Sequence, residues 1–176
     1  KYGELQEDDP EQVYVSNLAD RLPKIQGFPF RVVVCPDWRE VNAASLPDGT
    51  IYISSELIRQ AETEEALLGV IAHERVHAYR EHARKTTFKL VESLPGLLSL
   101  SDLLSNLGMA RGHEYEADLR GVLVDLEKAG VSPIGYKIFL EKMHKAGTSD
   151  ITGVVHGSTL DRALNIASAI HLIDFS

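Results

Sequence analysis

The sequence predicts an α+β fold: a mostly helical domain with a small three-stranded sheet, one strand plus a hairpin, packed on a central helix. Three observations predict it. Stretches such as "TEEALLGVIAHERVHAYREH" repeat apolar residues at helical intervals and open on a capping residue. "FRVVVC" and "TIYIS" are short apolar runs of strand length beside turn residues. A chain of 176 residues, 44% hydrophobic and 25% charged, has ordinary globular composition and enough length to bury a core.

In chain order, "DPEQVYVSNLADRLPKI" predicts a helix opened by Asp9 and Pro10 and ending near Pro23. "FRVVVC" follows as a strand that ends on Cys35, read as a buried strand residue. "REVNAASLPDGTIYIS" predicts a hairpin, with Asp48 and Gly49 supplying the turn and Ile51 and Ile53 a buried face. "SSELIRQA" is a short helix capped by Ser54 or Ser55. Thr63 caps a long helix with Glu64 and Glu65 in its first turn, running to about His82 or Ala83. The leucine-rich text from 84 to 112, broken by Pro95 and Gly96, reads as two short helices or a lid. "GHEYEADLRGVLVDLEKAG" is a helix closed by Gly130, and "SPIGYKIFLEKMHKAG" is another. A last helix is expected from about Thr159 to Ile170.

The organisation expected is one domain over 1–176. It comprises an N-terminal helical region (1–27), the sheet and long helix (28–83), the lid-like insertion (84–112) and a second helical part (113–176). A formal net charge of −8 argues against an electrostatic grip on nucleic acid or anionic lipid. One cysteine excludes an internal disulfide. No apolar run has the length of a transmembrane span. The opening "KYGELQEDDP" carries no apolar signal core, so a targeting segment is expected to be missing from this chain.

"GVIAHERVHAYREH" is where chemistry concentrates. Four helical residues turn the chain about 40° past one revolution, so His73 and His77 project side by side and can reach one ion. Ala66, Val70, His73 and His77 share the inward face. Glu74 lies about 100° round from His73, near enough to take a proton from a water at the metal without becoming a ligand. This is the HExxH arrangement of a zinc hydrolase. Two buried histidines satisfied by carbonyls would leave the same pentapeptide, so a third ligand matters.

His82 has rotated about 140° from His77 and does not serve. "HEYEAD" does better. Glu114 and Asp118 are four apart on a face shared with Ala110, Ala117 and Gly121, whose small side chains allow close approach to the histidine helix. Glu114 can complete a His, His, Glu set with a fourth position for water. Asp118 can accept a hydrogen bond from a ligand imidazole and fix its tautomer. Glu116 is read as surface, pairing with Arg120. His113 ranks below Glu114.

HExxH followed by ExxxD on a later helix is the gluzincin pattern, which implies a zincin-like fold. The surrounding text resembles the family of the HtpX heat-shock proteases, the CAAX prenyl proteases and the mitochondrial Oma-type proteases. "VNAASLPDGTIYISSELI", "EEALLGVIAHERVHAYREH", "EYEADLRGV" and "HGSTLDRALNI" carry that resemblance, in the family's order, over roughly residues 30 to 170. It implies one Zn²⁺ held by His73, His77 and Glu114, with Glu74 as general base in peptide-bond hydrolysis. Further donors to the transition state are His156 and Arg162 by resemblance, with Tyr136 a weaker candidate. Arg162 pairing only with a carboxylate, and His156 fixing a loop or reaching the zinc as a reversible fourth ligand, are the alternatives. Resemblance also implies a bacterial envelope or membrane-associated location, with an envelope partner or peripheral membrane contact.

There are departures. Arg75 and Val76 fill the variable positions of HExxH, and Arg75 at the edge of the site is expected to affect substrate preference. Gly157 stands where the family has proline, and the membrane-spanning helices of several relatives have no counterpart here. Substrate is expected as extended or unfolded polypeptide beside the "VNAASL" strand. The competing readings are a non-catalytic zinc module that binds clients, a metal-free helical scaffold, and a metallohydrolase of non-peptide substrates.

Overall fold

The computed structural model describes residues 3–80, 111–147 and 158–173. The architecture is α+β, mostly helical, with one small mixed sheet. His156 and residues 84–110 of the expected lid-like insertion lie outside the described residues.

Helix α1 (Pro10–Ala19) starts where Asp9 Oδ1 accepts the Glu11 N–H at 2.9 Å, with Pro10 as its first residue. The strands are β1 (Arg31–Cys35), β2 (Ala43–Ser45) and β3 (Thr50–Ser54), in the order β1-β3-β2. β1 runs parallel to β3, with Val32 opposite Ile51 and Val34 opposite Ile53, while β2 and β3 form the antiparallel hairpin. Asp48 and Gly49 make its turn: Asp48 Oδ1 accepts the Thr50 N–H at 2.8 Å, and Gly49 sits at φ +89°, a conformation open to residues without a Cβ. Ile51 and Ile53 are fully buried, each contributing about 1.5–3 kcal/mol by leaving water. The first hairpin strand is only three residues long, shorter than the apolar text around it suggested.

The outer edge of β1 is closed by a side chain. Gln12, from α1, donates from Nε2 to Val32 O at 2.8 Å and accepts the Val34 N–H on Oε1 at 2.9 Å. One amide thus supplies two of the bonds a neighbouring strand would have made, the Leu5 N–H supplies a third to Val34 O at 3.0 Å, and the edge cannot recruit another chain there.

Helix α2 (Ser55–Ala61) is capped by Ser54, whose Oγ accepts the Leu57 N–H. Helix α3 (Glu64–Tyr79) is capped by Thr63, whose Oγ1 accepts the Ala66 N–H. From Ala66 to Ala78 every residue of α3 is buried, so it is an axle rather than an amphipathic surface helix. β2 and β3 pack on it, as do α1, α2 and the three helical segments that follow. Helix α4 (Arg111–Ala117) continues as a π-helical stretch (Asp118–Asp125) and a last α-turn (Leu126–Lys128). Helix α5 (Ile134–Lys145) packs on α3, and α6 (Thr159–Ile173) packs on α5 and on the π-helical stretch.

Arg75 departs from expectation. Two residues beyond His73, it points about 200° away round the helix. Its fully buried guanidinium donates to Pro23 O at 2.6 Å, pairs with Asp125 and lies 5.1 Å above the Phe30 ring. It therefore pins α3 to the π-helical stretch on the side remote from the histidines and has no place at the edge of the site. No helix among the described residues is long and apolar enough to cross a membrane.

Candidate metal centre

His73 and His77 leave one side of α3 a turn apart, with their Nε2 atoms 2.9 Å from each other. Glu114 enters from α4 and sets Oε2 3.3 Å from His73 Nε2 and Oε1 3.3 Å from His77 Nε2. One donor atom from each of the three lies within 4.8 Å of the others, and all three residues are buried.

These separations fit a metal. Ligands at about 2.0–2.2 Å in a tetrahedral shell stand about 3.3 Å apart, the spacing of Glu114 from each imidazole. Glu114 offers a different oxygen to each imidazole, and the two Nε2 atoms, 2.9 Å apart, would have to separate slightly around an ion. The donor set, two neutral nitrogens and one carboxylate oxygen, suits a borderline divalent cation.

Close approach of α4 to α3 depends on missing side-chain atoms. A Cβ on Gly121 would lie 2.4 Å from Ala72 O, and Ala117 is fully buried beside the donors. On the opposite flank, a Cβ on Gly69 would meet the Tyr136 Cβ at 2.5 Å. Larger residues at 69 or 121 would push α5 or α4 outwards.

Behind the donors, Asp118 Oδ1 lies 2.9 Å from His73 Nδ1. With Nδ1–H donating to that carboxylate, Nε2 keeps its lone pair for the shared centre. Arg162, from α6, grips the same carboxylate at both oxygens, Nε to Oδ2 at 2.9 Å and Nη2 to Oδ1 at 2.8 Å. Its Nη2 also donates to the Tyr136 hydroxyl, and Nη1 stands 3.5 Å from Glu114 Oε2. The cluster is electrostatically tight. Burial opposes the charge on Asp118, but Arg162 and His73 outweigh it and hold the carboxyl down at about 2. Burial and Arg162 act to lower the His73 pKa, yet Asp118 and Glu114 prevail and raise it to about 9, so a cation binding here displaces the Nε2 proton. For His77, burial and the neighbouring His73 charge dominate and lower it.

Glu74 is buried and lines the cavity beside His73 and Arg162 without belonging to the three-donor group. His113 is half-buried and outside that group as well. Glu116 bridges Arg120 at 2.9 Å and Arg80 at 2.7 Å on the outer side of α4. Tyr136, the weaker candidate by sequence, is fully inside the cluster, its ring centroid 6.3 Å from that of His73. Sequence reasoning missed the α5 wall that Tyr136 begins. Its signal was the spacing of Tyr136, Phe139, Leu140 and Met143, which marks an inward stripe without saying what it faces.

Fold and donors together define a mostly helical frame with a three-residue group able to hold a metal ion. Residues 11–109 match the model of peptidase family M48, and the chain belongs to that family. It is thus a metallopeptidase, with polypeptide as its class of substrate. The match takes in His73, Glu74 and His77 and stops before Glu114, so the carboxylate arm of the site is read from geometry.

Proposed function

We propose that the chain is a zinc-dependent endopeptidase of the gluzincin type, cutting extended or unfolded polypeptides in a protein quality-control role. The observation that carries this is the meeting of His73, His77 and Glu114, buried and with one ligand atom of each within 4.8 Å of the others. Bound there, zinc would supply Lewis acidity, polarising the scissile carbonyl and bringing the pKa of a water towards about 7.

The chain's own groups do the rest. Glu74, buried at the cavity wall next to His73, takes the proton from the attacking water and delivers it to the leaving nitrogen. Asp118 holds the His73 ring in its tautomer and orientation. Arg162 fixes Asp118 and places positive charge at the cavity wall, where negative charge develops on the carbonyl oxygen. His156, from the segment just before α6, is proposed as a second donor to that oxygen.

Substrate would join β2. Its partner β3 exchanges hydrogen bonds with the even-numbered residues: Leu46 N donates to Thr50 O and Ser54 N to Asn42 O. By the alternation of an antiparallel ladder, Ala43 and Ser45 turn their main-chain groups to the outer edge. Gln12 closes the other side of the sheet, so among the described residues β2 is the edge that can receive an extended chain, once the Ala43 N–H exchanges its bond to Asn42 Oδ1 for one to substrate. Asn42 and Ala43 also line the cavity of His73 and Glu74, which brings this edge to the chemistry.

The test compares parent and Glu74→Gln for zinc content and for cleavage of casein or a peptide library. One zinc per chain in both, with cleavage reduced about 10²–10⁴-fold in the variant, is the expected result. Undiminished cleavage would remove Glu74 from its role. Zinc without any proteolysis in the parent would favour a client-binding module or a hydrolase of other substrates.

A further inference from the structure

The cavity beside the donors changes character along its length. Its polar end is His73, Glu74 and Arg162; its apolar end is Phe139 and Met143, with half-buried Val41 at the rim. Phe139 and Met143 sit four apart on one buried stripe of α5, so they form a continuous wall. Among the described residues, no charged side chain lines this apolar end. Protein interiors are close-packed, yet about 50 Å³ stays open here, next to the residues proposed for catalysis.

We infer that this space is the specificity pocket of the enzyme and takes an aliphatic side chain from one of the two residues flanking the scissile bond. This selectivity rests on the endopeptidase reading above and adds the substrate class. Size sets the upper limit. An apolar cavity of about 150 Å³ accommodates a benzene ring, whereas this cavity as a whole, polar end included, holds about 50 Å³, so it suits an alkyl group rather than an indole. Chemistry sets the other limit, because a carboxylate or ammonium entering between Phe139 and Met143 would lose its water and gain no partner. Val, Leu, Ile and Met are the side chains that satisfy both.

The experiment maps cleavage of a random peptide library by the zinc-loaded parent, by Met143→Ala and by Met143→Phe, with folding followed by thermal unfolding. In the parent, Val, Leu, Ile and Met are expected to exceed Asp, Lys and Trp by about 10-fold or more at one flanking position. Met143→Ala widens the pocket and shifts the preference towards Phe and Tyr. Met143→Phe fills it and shifts the preference towards Ala and Gly. Binding of matched Leu and Asp peptides to zinc-loaded Glu74→Gln gives a readout without turnover, and the Leu peptide is expected to bind tighter. If neither Met143 variant folds, the parent profile and the peptide binding decide. A parent that cleaves with no aliphatic preference at either flanking position overturns the pocket assignment alone, as do folded variants with an unchanged profile. A zinc-loaded parent that cleaves nothing, together with a Glu74→Gln protein that binds neither peptide, overturns the endopeptidase reading and the pocket with it.

Discussion

Asp118 and Arg162, 44 positions apart in sequence, meet as a two-point pair, with Nε 2.9 Å from Oδ2 and Nη2 2.8 Å from Oδ1. The planar guanidinium holds the carboxylate rigid, and Oδ1 is the atom that also faces His73 Nδ1. A residue of α6 therefore bears on an imidazole of α3 both through Asp118 and directly, its Nη2 standing 3.0 Å from His73 Nδ1.

Replacing Asp118 with Asn preserves shape but takes away the charge that holds His73 and balances Arg162. Zinc affinity is expected to fall by about 10–100-fold, measured by competition with a chromophoric chelator, while the helical circular-dichroism signal is retained. Unchanged affinity would mean that the His73–Asp118 contact has no bearing on the metal.

Gly121→Ala tests the close approach of α4. Its new Cβ would press on Ala72 O, a backbone atom with little freedom to move, so α4 must shift away from α3. A loss of about 1–3 kcal/mol in chemical denaturation is expected, together with weaker zinc binding because Glu114 travels with the helix. A variant as stable as the parent with full zinc affinity would contradict the geometry.

Gln12→Leu removes the amide that closes β1. Val32 O and Val34 N then lose their partners, and a cost of about 1–3 kcal/mol in unfolding free energy is expected. The partly opened edge, where Leu5 still bonds Val34 O, should also raise the tendency to self-associate, read by light scattering. Cleavage per folded molecule should hold, since β1 is remote from the donors.

Arg75→Met addresses the residue whose direction sequence reading missed. The variant is expected to lose about 3–5 kcal/mol, because Asp125 and Pro23 O are left without their buried cation. Its peptide-library profile should match the parent's. A changed profile at unchanged stability would return Arg75 to the substrate side.

Local chemistry made much of this legible. Asp9, Ser54 and Thr63 cap the helices they precede, and Gly49 takes the turn, because each role is decided within four residues. The meeting of Glu114 with the histidines was readable from face-sharing at four-residue spacing and from small residues on the same face. Other features depended on distant partners. The π-helical stretch after Ala117 has no mark in the hydrophobic pattern, which suits an ordinary α-helix equally well. The Gln12 cap joins residues 20 and 22 positions apart, and the α5 wall needs knowledge of what α5 faces. The direction of Arg75 was available from helical geometry alone, since position i+2 cannot share a face with position i.

The pair of Asp118 with Arg162 has a bearing on biosynthesis. A nascent polypeptide synthesised only as far as residue 147 already owns His73, Glu74, His77 and Glu114, but not the guanidinium that steadies the imidazole through Asp118. The side-chain arrangement around His73 is thus complete only once α6 has been translated and has docked.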